Sequence, residues 1–290
     1  MEIAENLDNK IKELWPKNGP ETKEIEKYIK KYSTEKIVIK CGGAVLLDPN
    51  LFNNFINDVS LLKKLGLTPI VVHGGGPRIK KKLDELNIET KFIMGLRVTD
   101  KKVIRVVEDV MIEFNKEIVE ALKKKSCKAK SITVKENNAI YVKQKNKELG
   151  FVGRPTRIDE KLIKNLIKEN FIPVISPMGL DENNQTYNIN ADTAAGALAR
   201  SLKSRRLMLM TDVEGVYDKD KKLISEIKSA DAEQLIYNET ISEGMIPKIR
   251  TCINAVQDGV KGVVVIDGRK SHSILFELFS DKGSGTLIRK

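Results

Sequence analysis

The apolar positions of this chain change period near residue 36. Upstream they recur at helical spacing. Leu7, Ile11, Leu14 and Trp15 share one face; after the breaker Pro16-Lys17-Asn18-Gly19-Pro20, a second stripe runs through Ile25, Tyr28, Ile29 and Tyr32. Downstream, short β-branched runs end in glycine and give way to amphipathic stretches. Ile37–Ile39 reads as a strand, residues 51–65 as a helix, Thr68–His73 as a strand and the stretch to about Leu86 as a helix. The rhythm returns with strand Phe171–Ile175, helix Ala191–Leu202, strand Arg206–Met210, helix Ile246–Val260 and strand Gly262–Ile266. Between the two series, Phe92–Val98 and Ile132–Val142 read as hairpins, with Asn137-Asn138 at the second turn.

Strands alternating with helices imply a parallel sheet with crossover connections, and so an α/β sandwich. No internal repeat interrupts it, and no linker after residue 36 is long enough to separate independent domains. The expected organisation is a helical extension over residues 1–35 and one two-lobed domain over 36–290.

Composition narrows the function classes. With 290 residues, 41% of them hydrophobic, the chain can fill a sizeable core. Its apolar runs, such as Val263–Ile266, are strand-length and far below the ~20 residues of a membrane span. The start, MEIAENLDNK, is acidic and polar, unlike a secretory leader. Cys41, Cys127 and Cys252 are odd in number and lack a CxxC pattern, so a reducing, cytoplasmic setting without structural zinc is expected. The net charge of +11 suggests anionic partners. Only eleven of the 51 basic residues are arginine, however, and the densest cluster, Lys123 to Lys130, has no interleaved aromatics. The surplus reads as a surface property, with neither nucleic acid nor membrane as a partner.

Candidate chemistry lies in the turns. Phosphate binding needs clustered N–H donors, and glycine lets a backbone approach oxygens closely. Gly42-Gly43 and Gly74-Gly75-Gly76 each follow a buried-type strand, which puts both at the carboxyl edge of a parallel sheet, where ligands bind. Tight turning alone would also explain either one. No P-loop, no GxGxxG after a strand and no protein-kinase HRD or DFG element is present, so a nucleotide would be held by another fold.

Six segments occur in a telling order. They are Lys40-Cys41-Gly42-Gly43, His73-Gly74-Gly75-Gly76-Pro77, Gly95-Leu96-Arg97-Val98-Thr99, Tyr187-Asn188-Ile189-Asn190-Ala191-Asp192, Met210 to Tyr217 and Gly244-Met245-Ile246-Pro247-Lys248. With the closing Ile266-Asp267-Gly268-Arg269 and Gly283 to Ile288, the chain from about 36 to 289 resembles the amino-acid kinase superfamily. Within it, the resemblance is to the branch that acts on N-acetyl-L-glutamate in arginine biosynthesis. The resemblance implies a three-layer αβα sandwich with a mainly parallel sheet, an acceptor-binding lobe over about 36–200 and a nucleotide-binding lobe over about 201–290. It also implies transfer of the γ-phosphoryl group of ATP, with Mg2+, to the acceptor's side-chain carboxylate.

In that reading Lys40 and Lys248 flank the transferred group, and Asp192 holds both and helps position the ATP-borne magnesium, with no direct metal ligand in the protein. Gly43, Gly75 and Gly76 donate N–H groups to the phosphate and acceptor, and Arg97 and Asn188 read the acceptor. Thr211, Asp212, Gly215, Tyr217 and Met245 face the nucleotide. An acceptor carboxylate is ionised at neutral pH, so no general base is needed and the lack of a catalytic histidine is expected. The stretch before Lys36 and the tail from Glu277 to Gly285 further resemble an arginine-inhibited subfamily, suggesting arginine as effector and a homo-oligomer, dimer or hexamer. By residue type alone, Lys40 and Lys248 also read as surface lysines and Asp192 as a helix N-terminal acid. A related kinase with another acceptor, or a non-catalytic amino-acid sensor, stays open; a sensor would be expected to lose one of Lys40, Asp192 and Lys248.

Overall fold

The computed structural model describes residues 13–241 and 244–290; the expectation for Leu7 and Ile11 lies outside them. Eight strands form the central sheet. They are β1 (Lys36–Cys41), β2 (Thr68–His73), β3 (Ala129–Ile132), β4 (Ile172–Ile175), β5 (Arg206–Thr211), β6 (Glu226–Lys228), β7 (Val263–Asp267) and β8 (Gly285–Arg289). Their lateral order is β6-β8-β7-β5-β1-β2-β4-β3. The run from β7 to β3 is parallel throughout, and β8 turns antiparallel against β7.

The helices are α1 (Ile25–Tyr32), α2 (Pro49–Lys64), α3 (Gly76–Glu85), α4 (Lys101–Lys124), α5 (Glu160–Lys168), α6 (Ala191–Ser201), α7 (Ser229–Tyr237), α8 (Ile246–Gln257) and α9 (Ser273–Phe279). Among the described residues no helix is long and apolar enough to cross a membrane.

Side chains alternate across a strand, and that alternation sorts the two cores. Ile37, Ile39 and Cys41 of β1 pack with α1, α2, α4 and α9; Val38 faces the other way, with α5, α6 and α8. Each fully buried aliphatic side chain contributes ~1.5–3 kcal/mol, so the register of β1 is strongly specified. Lys40 shares the parity of Val38. The same rule that builds the core therefore turns its ammonium toward α6 and α8.

One expectation is corrected. Ile132–Val142 is not a hairpin: Ile132 ends β3 in the central sheet, whereas Ile140–Gln144 pairs antiparallel with Gly153–Ile158 in a separate four-stranded sheet. The turn itself is real, with Asn137 at φ 59° and the Thr133 N–H bonded to Glu136 O at 2.8 Å. Its two arms leave for different sheets because β3 finds a parallel partner in β4, forty residues away in sequence and invisible to local pattern.

The stripe expected over Ile25 to Tyr32 is the apolar face of α1. Ile25, Tyr28 and Tyr32 are buried in the chain's own core, and the Tyr28 hydroxyl donates to Asp281 Oδ1 at 2.6 Å. The Tyr28 and Trp15 rings both meet Phe279 edge-on, that of Trp15 with centroids 5.4 Å apart. Three of the four stripe residues are thus covered within the chain, and Ile29 is partly buried against the same core.

Candidate functional site

The carboxyl ends of β1, β2 and β5 converge on a charged cluster. Asp192 lies in the first turn of α6, which starts at an Asn190 cap whose Oδ1 accepts from Thr193 N at 3.0 Å. That position suits an anion, since the helix dipole is positive there. Lys40 Nζ lies 3.0 Å from Asp192 Oδ1, and Lys248 Nζ, from the first turn of α8, donates to Asp192 Oδ2. Lys40 also donates to Met210 O at 3.4 Å.

The three side chains are only 10%, 14% and 14% exposed for Lys40, Asp192 and Lys248. Burial works to raise the Asp192 carboxyl, but the Lys40 and Lys248 ammoniums outweigh it and hold it well below the usual carboxylate range. The cluster is thus one fixed anion between two fixed cations. It carries a net positive charge in a poorly solvated setting.

Beside it opens a cavity of about 510 Å³ lined by Lys40, both glycine turns, Arg97 and Asn188. The glycines there have specific reasons. Gly43 takes φ +61°, and a Cβ on it would collide with the Asp212 carboxylate. A Cβ on Gly75 would meet Met111 Sδ at 2.6 Å. The N–H groups at the start of α3, which begins at Gly76, have no acceptor inside the helix.

Arg97 is 8% exposed, unlike a solvated hairpin arginine. It leaves the hairpin of Phe92–Ile93 and Leu96–Arg97, stacks on Phe92 at 4.7 Å and donates through Nη2 to Gly76 O at 3.3 Å. Its Nη1 is buried without a partner among the described residues. A buried guanidinium N–H left unsatisfied beside a cavity is a costly arrangement that an incoming carboxylate would relieve. Asn188 lines the same cavity and donates to Thr99 Oγ1 at 3.3 Å.

Of the sequence candidates, Lys40, Gly43, Gly75, Gly76, Arg97 and Asn188 meet at the cavity, and Asp192 and Lys248 join through Lys40. The five expected on the nucleotide side do not line it. Thr211 ends β5, and Asp212 approaches Gly43; Gly215 and Tyr217 belong to the loop and short pair Val216–Tyr217 with Leu223–Ile224; Met245 packs beneath α8. Sequence reasoning missed Phe92, Met111 and Asn190 as lining residues. Asn190 lay inside a quoted motif, whereas Met111 is read along the sequence only as one more apolar position of α4. No group of three or more His, Cys, Asp and Glu among the described residues could hold a metal ion.

A six-strand parallel run with this lysine–aspartate–lysine cluster at its carboxyl edge agrees with the sequence match: residues 35–267 match the amino acid kinase family, and the chain belongs to it. It is 63% identical over 277 residues to the acetylglutamate kinase of Pelagibacter ubique, covering 96% of each chain. It is 46% identical to the acetylglutamate kinase of Brucella canis, covering 90% of this chain and 93% of the relative. Its fold is also that of the N-acetylglutamate synthase of Neisseria gonorrhoeae, solved with coenzyme A and N-acetyl-glutamate. The TM-score is 0.83 at 22% identity, covering 92% of this chain and 62% of that one.

Proposed function

We propose that this chain transfers the γ-phosphoryl group of ATP to the side-chain carboxylate of N-acetyl-L-glutamate, the acetylglutamate kinase step of arginine biosynthesis. The observation that carries this at the level of chemistry is Asp192 held between Lys40 and Lys248 beside a glycine-lined cavity. An anionic acceptor must approach a polyanion, and the transition state spreads charge over the phosphoryl oxygens. Fixed ammoniums and N–H donors answer both needs without reorganising during the reaction.

In this reading Lys40 and Lys248 flank the moving group, Asp192 keeps them in register, and Gly43, Gly75 and Gly76 supply N–H donors. Arg97 takes the acceptor's α-carboxylate with its free Nη1, and Asn188 pairs with the acetamido group. Thr211, Asp212, Gly215, Tyr217 and Met245 are assigned to the nucleotide, which divides the chain into acceptor and nucleotide lobes near residue 200. Magnesium fits as a companion of the ATP phosphates, whose charge it neutralises. Asp192 already has a lysine on each oxygen, so it is no direct ligand of such an ion and acts by orienting the two lysines that meet the phosphates. Three buried free thiols suit a reducing compartment, the cytoplasm.

The deciding experiment is an ADP-release assay with glutamate, aspartate and their N-acetyl forms as competing acceptors. N-acetyl-L-glutamate should win; equal rates with the free amino acids would overturn the acceptor assignment. Arg97→Ala should raise KM for N-acetyl-L-glutamate roughly tenfold or more, the value of a charge-assisted pair, and leave KM for ATP nearly unchanged. A kcat loss with both KM values intact would remove Arg97 from acceptor binding.

The finer placement is in the arginine-inhibited subfamily. It is supported by the resemblance of the stretch before Lys36 and of the Glu277–Gly285 tail, which touch through Tyr28 and Asp281. Millimolar arginine is expected to lower the rate of the purified protein, and light scattering should report hexamers. Unchanged activity together with dimers would end that placement.

A further inference from the structure

We propose that His73 is a positioning residue for the transfer: together with Asn115 it fixes the Gly74-Gly75 peptide so that the Gly75 N–H faces the reacting oxygens. The inference rests on the reading of Gly75 as an N–H donor in phosphoryl transfer. His73 itself does not line the cavity. It is wholly buried at the end of β2, its ring edge-on to Phe114 with centroids 5.2 Å apart.

The hydrogen bonds around the ring admit one tautomer. His73 Nδ1 lies 2.9 Å from Gly74 O, which can only accept, so Nδ1 carries the proton. Asn115 Nδ2 donates to Val174 O at 3.0 Å, and this carbonyl orients the amide. The second N–H of Nδ2 then meets His73 Nε2 at 3.2 Å, which must present its lone pair. Both sides of the imidazole demand the same assignment. Burial and the nearby Arg78 charge lower the ring's pKa to about 4, against the opposing pull of the Gly74 bond, so the ring stays neutral at physiological pH.

The consequence follows from peptide geometry. The peptide is planar and trans, so the Gly74 C=O and the Gly75 N–H point in opposite directions. The imidazole draws the carbonyl to the buried side, which turns the N–H to the side that Gly74, Gly75 and Gly76 line. A run of three glycines has no Cβ to select one peptide orientation, and an external hold is therefore needed. The flanking groups have holds of their own: Gly74 N–H donates to Cys41 O at 2.7 Å, and Gly76 O accepts from Arg97 at 3.3 Å.

Three variants test this, each with kcat, both KM values and Tm measured. His73→Leu removes the donor and should lower kcat about tenfold or more, since a misaimed oxyanion donor forfeits much of its effect. His73→Asn keeps an N–H near the Nδ1 position and should recover most of that loss at a similar Tm. His73→Gln reaches the Nε2 position, beside Asn115, and leaves Gly74 O without its donor. Its kcat should fall as far as that of His73→Leu, at a Tm close to that of His73→Asn. If His73→Leu keeps kcat within twofold, or Asn and Leu lose kcat equally, the proposal is overturned. Should the Leu variant fail to fold, a His73→Gln enzyme with wild-type kcat overturns it instead. A wild-type protein that phosphorylates no N-acetyl-L-glutamate would defeat the functional reading; an active wild type with indifferent variants would defeat only this inference.

Discussion

Lys248→Ala is expected to lower kcat at least about a hundredfold while changing KM for N-acetyl-L-glutamate little. Loss of one preorganised charge aimed at a developing oxyanion typically costs that much. The effect should fall on kcat because the ammonium is placed for the transition state: its stem is held at the first turn of α8 and its head by Asp192. The fold should survive, since Asp192 keeps Lys40 at 3.0 Å and the apolar face of α8 is untouched. Steady-state kinetics with saturating ATP decides the matter, and a kcat within tenfold of wild type would remove Lys248 from the chemistry.

Asp192→Ala should do more, because it leaves two ammoniums facing each other in a poorly solvated site. Removing one partner of a buried ion pair costs about 3–5 kcal/mol, and here a single carboxylate serves two partners. A lower Tm is expected, together with a loss of kcat at least as large as that of Lys248→Ala. The mutual repulsion would also push one lysine below its ordinary range. A lysine with a depressed pKa gives up its proton as pH rises, so kcat/KM of the variant should begin to fall at a lower pH than that of wild type. In wild type, Asp192 is ionised at and above neutral pH and opposes that loss. The Lys248→Ala/Asp192→Ala double variant should lose much less than the sum of the two single losses, since both act on one cluster. Additive losses and a flat pH profile in Asp192→Ala would contradict the coupled arrangement.

How much of this was legible from residue order depended on range. The glycine turns announced themselves because each sits directly after a β-branched run, and α6 and α8 were readable from their apolar spacing and starts. Arg97 was readable as a hairpin residue but not as a buried one. Its burial comes from Phe92 on one side and Gly76 O on the other, and Gly76 is 21 residues away. The β3 strand misled because Asn137-Asn138 carries good turn chemistry, while the pairing of Ala129–Ile132 with Ile172–Ile175 is settled by which apolar face must be covered. The α1 stripe was equally visible from its spacing, yet spacing cannot say whether the surface it covers belongs to the same subunit.

What the residues determined unaided was local: the strand periods, the glycine positions, the helix starts at Ala191 and Ile246, and the parity that puts Lys40 on the side of Val38. Such features depend on steric limits and hydrophobic alternation within a few residues. Only the tertiary structure decided that Asp192 stands between Lys40 and Lys248, 152 and 56 residues away, that an Arg97 N–H at a cavity has no partner among the described residues, and that His73 grips a glycine carbonyl. The reason is physical. Charges acquire altered ionisation and directed hydrogen bonds only when water is excluded, and water is excluded only once distant elements have packed.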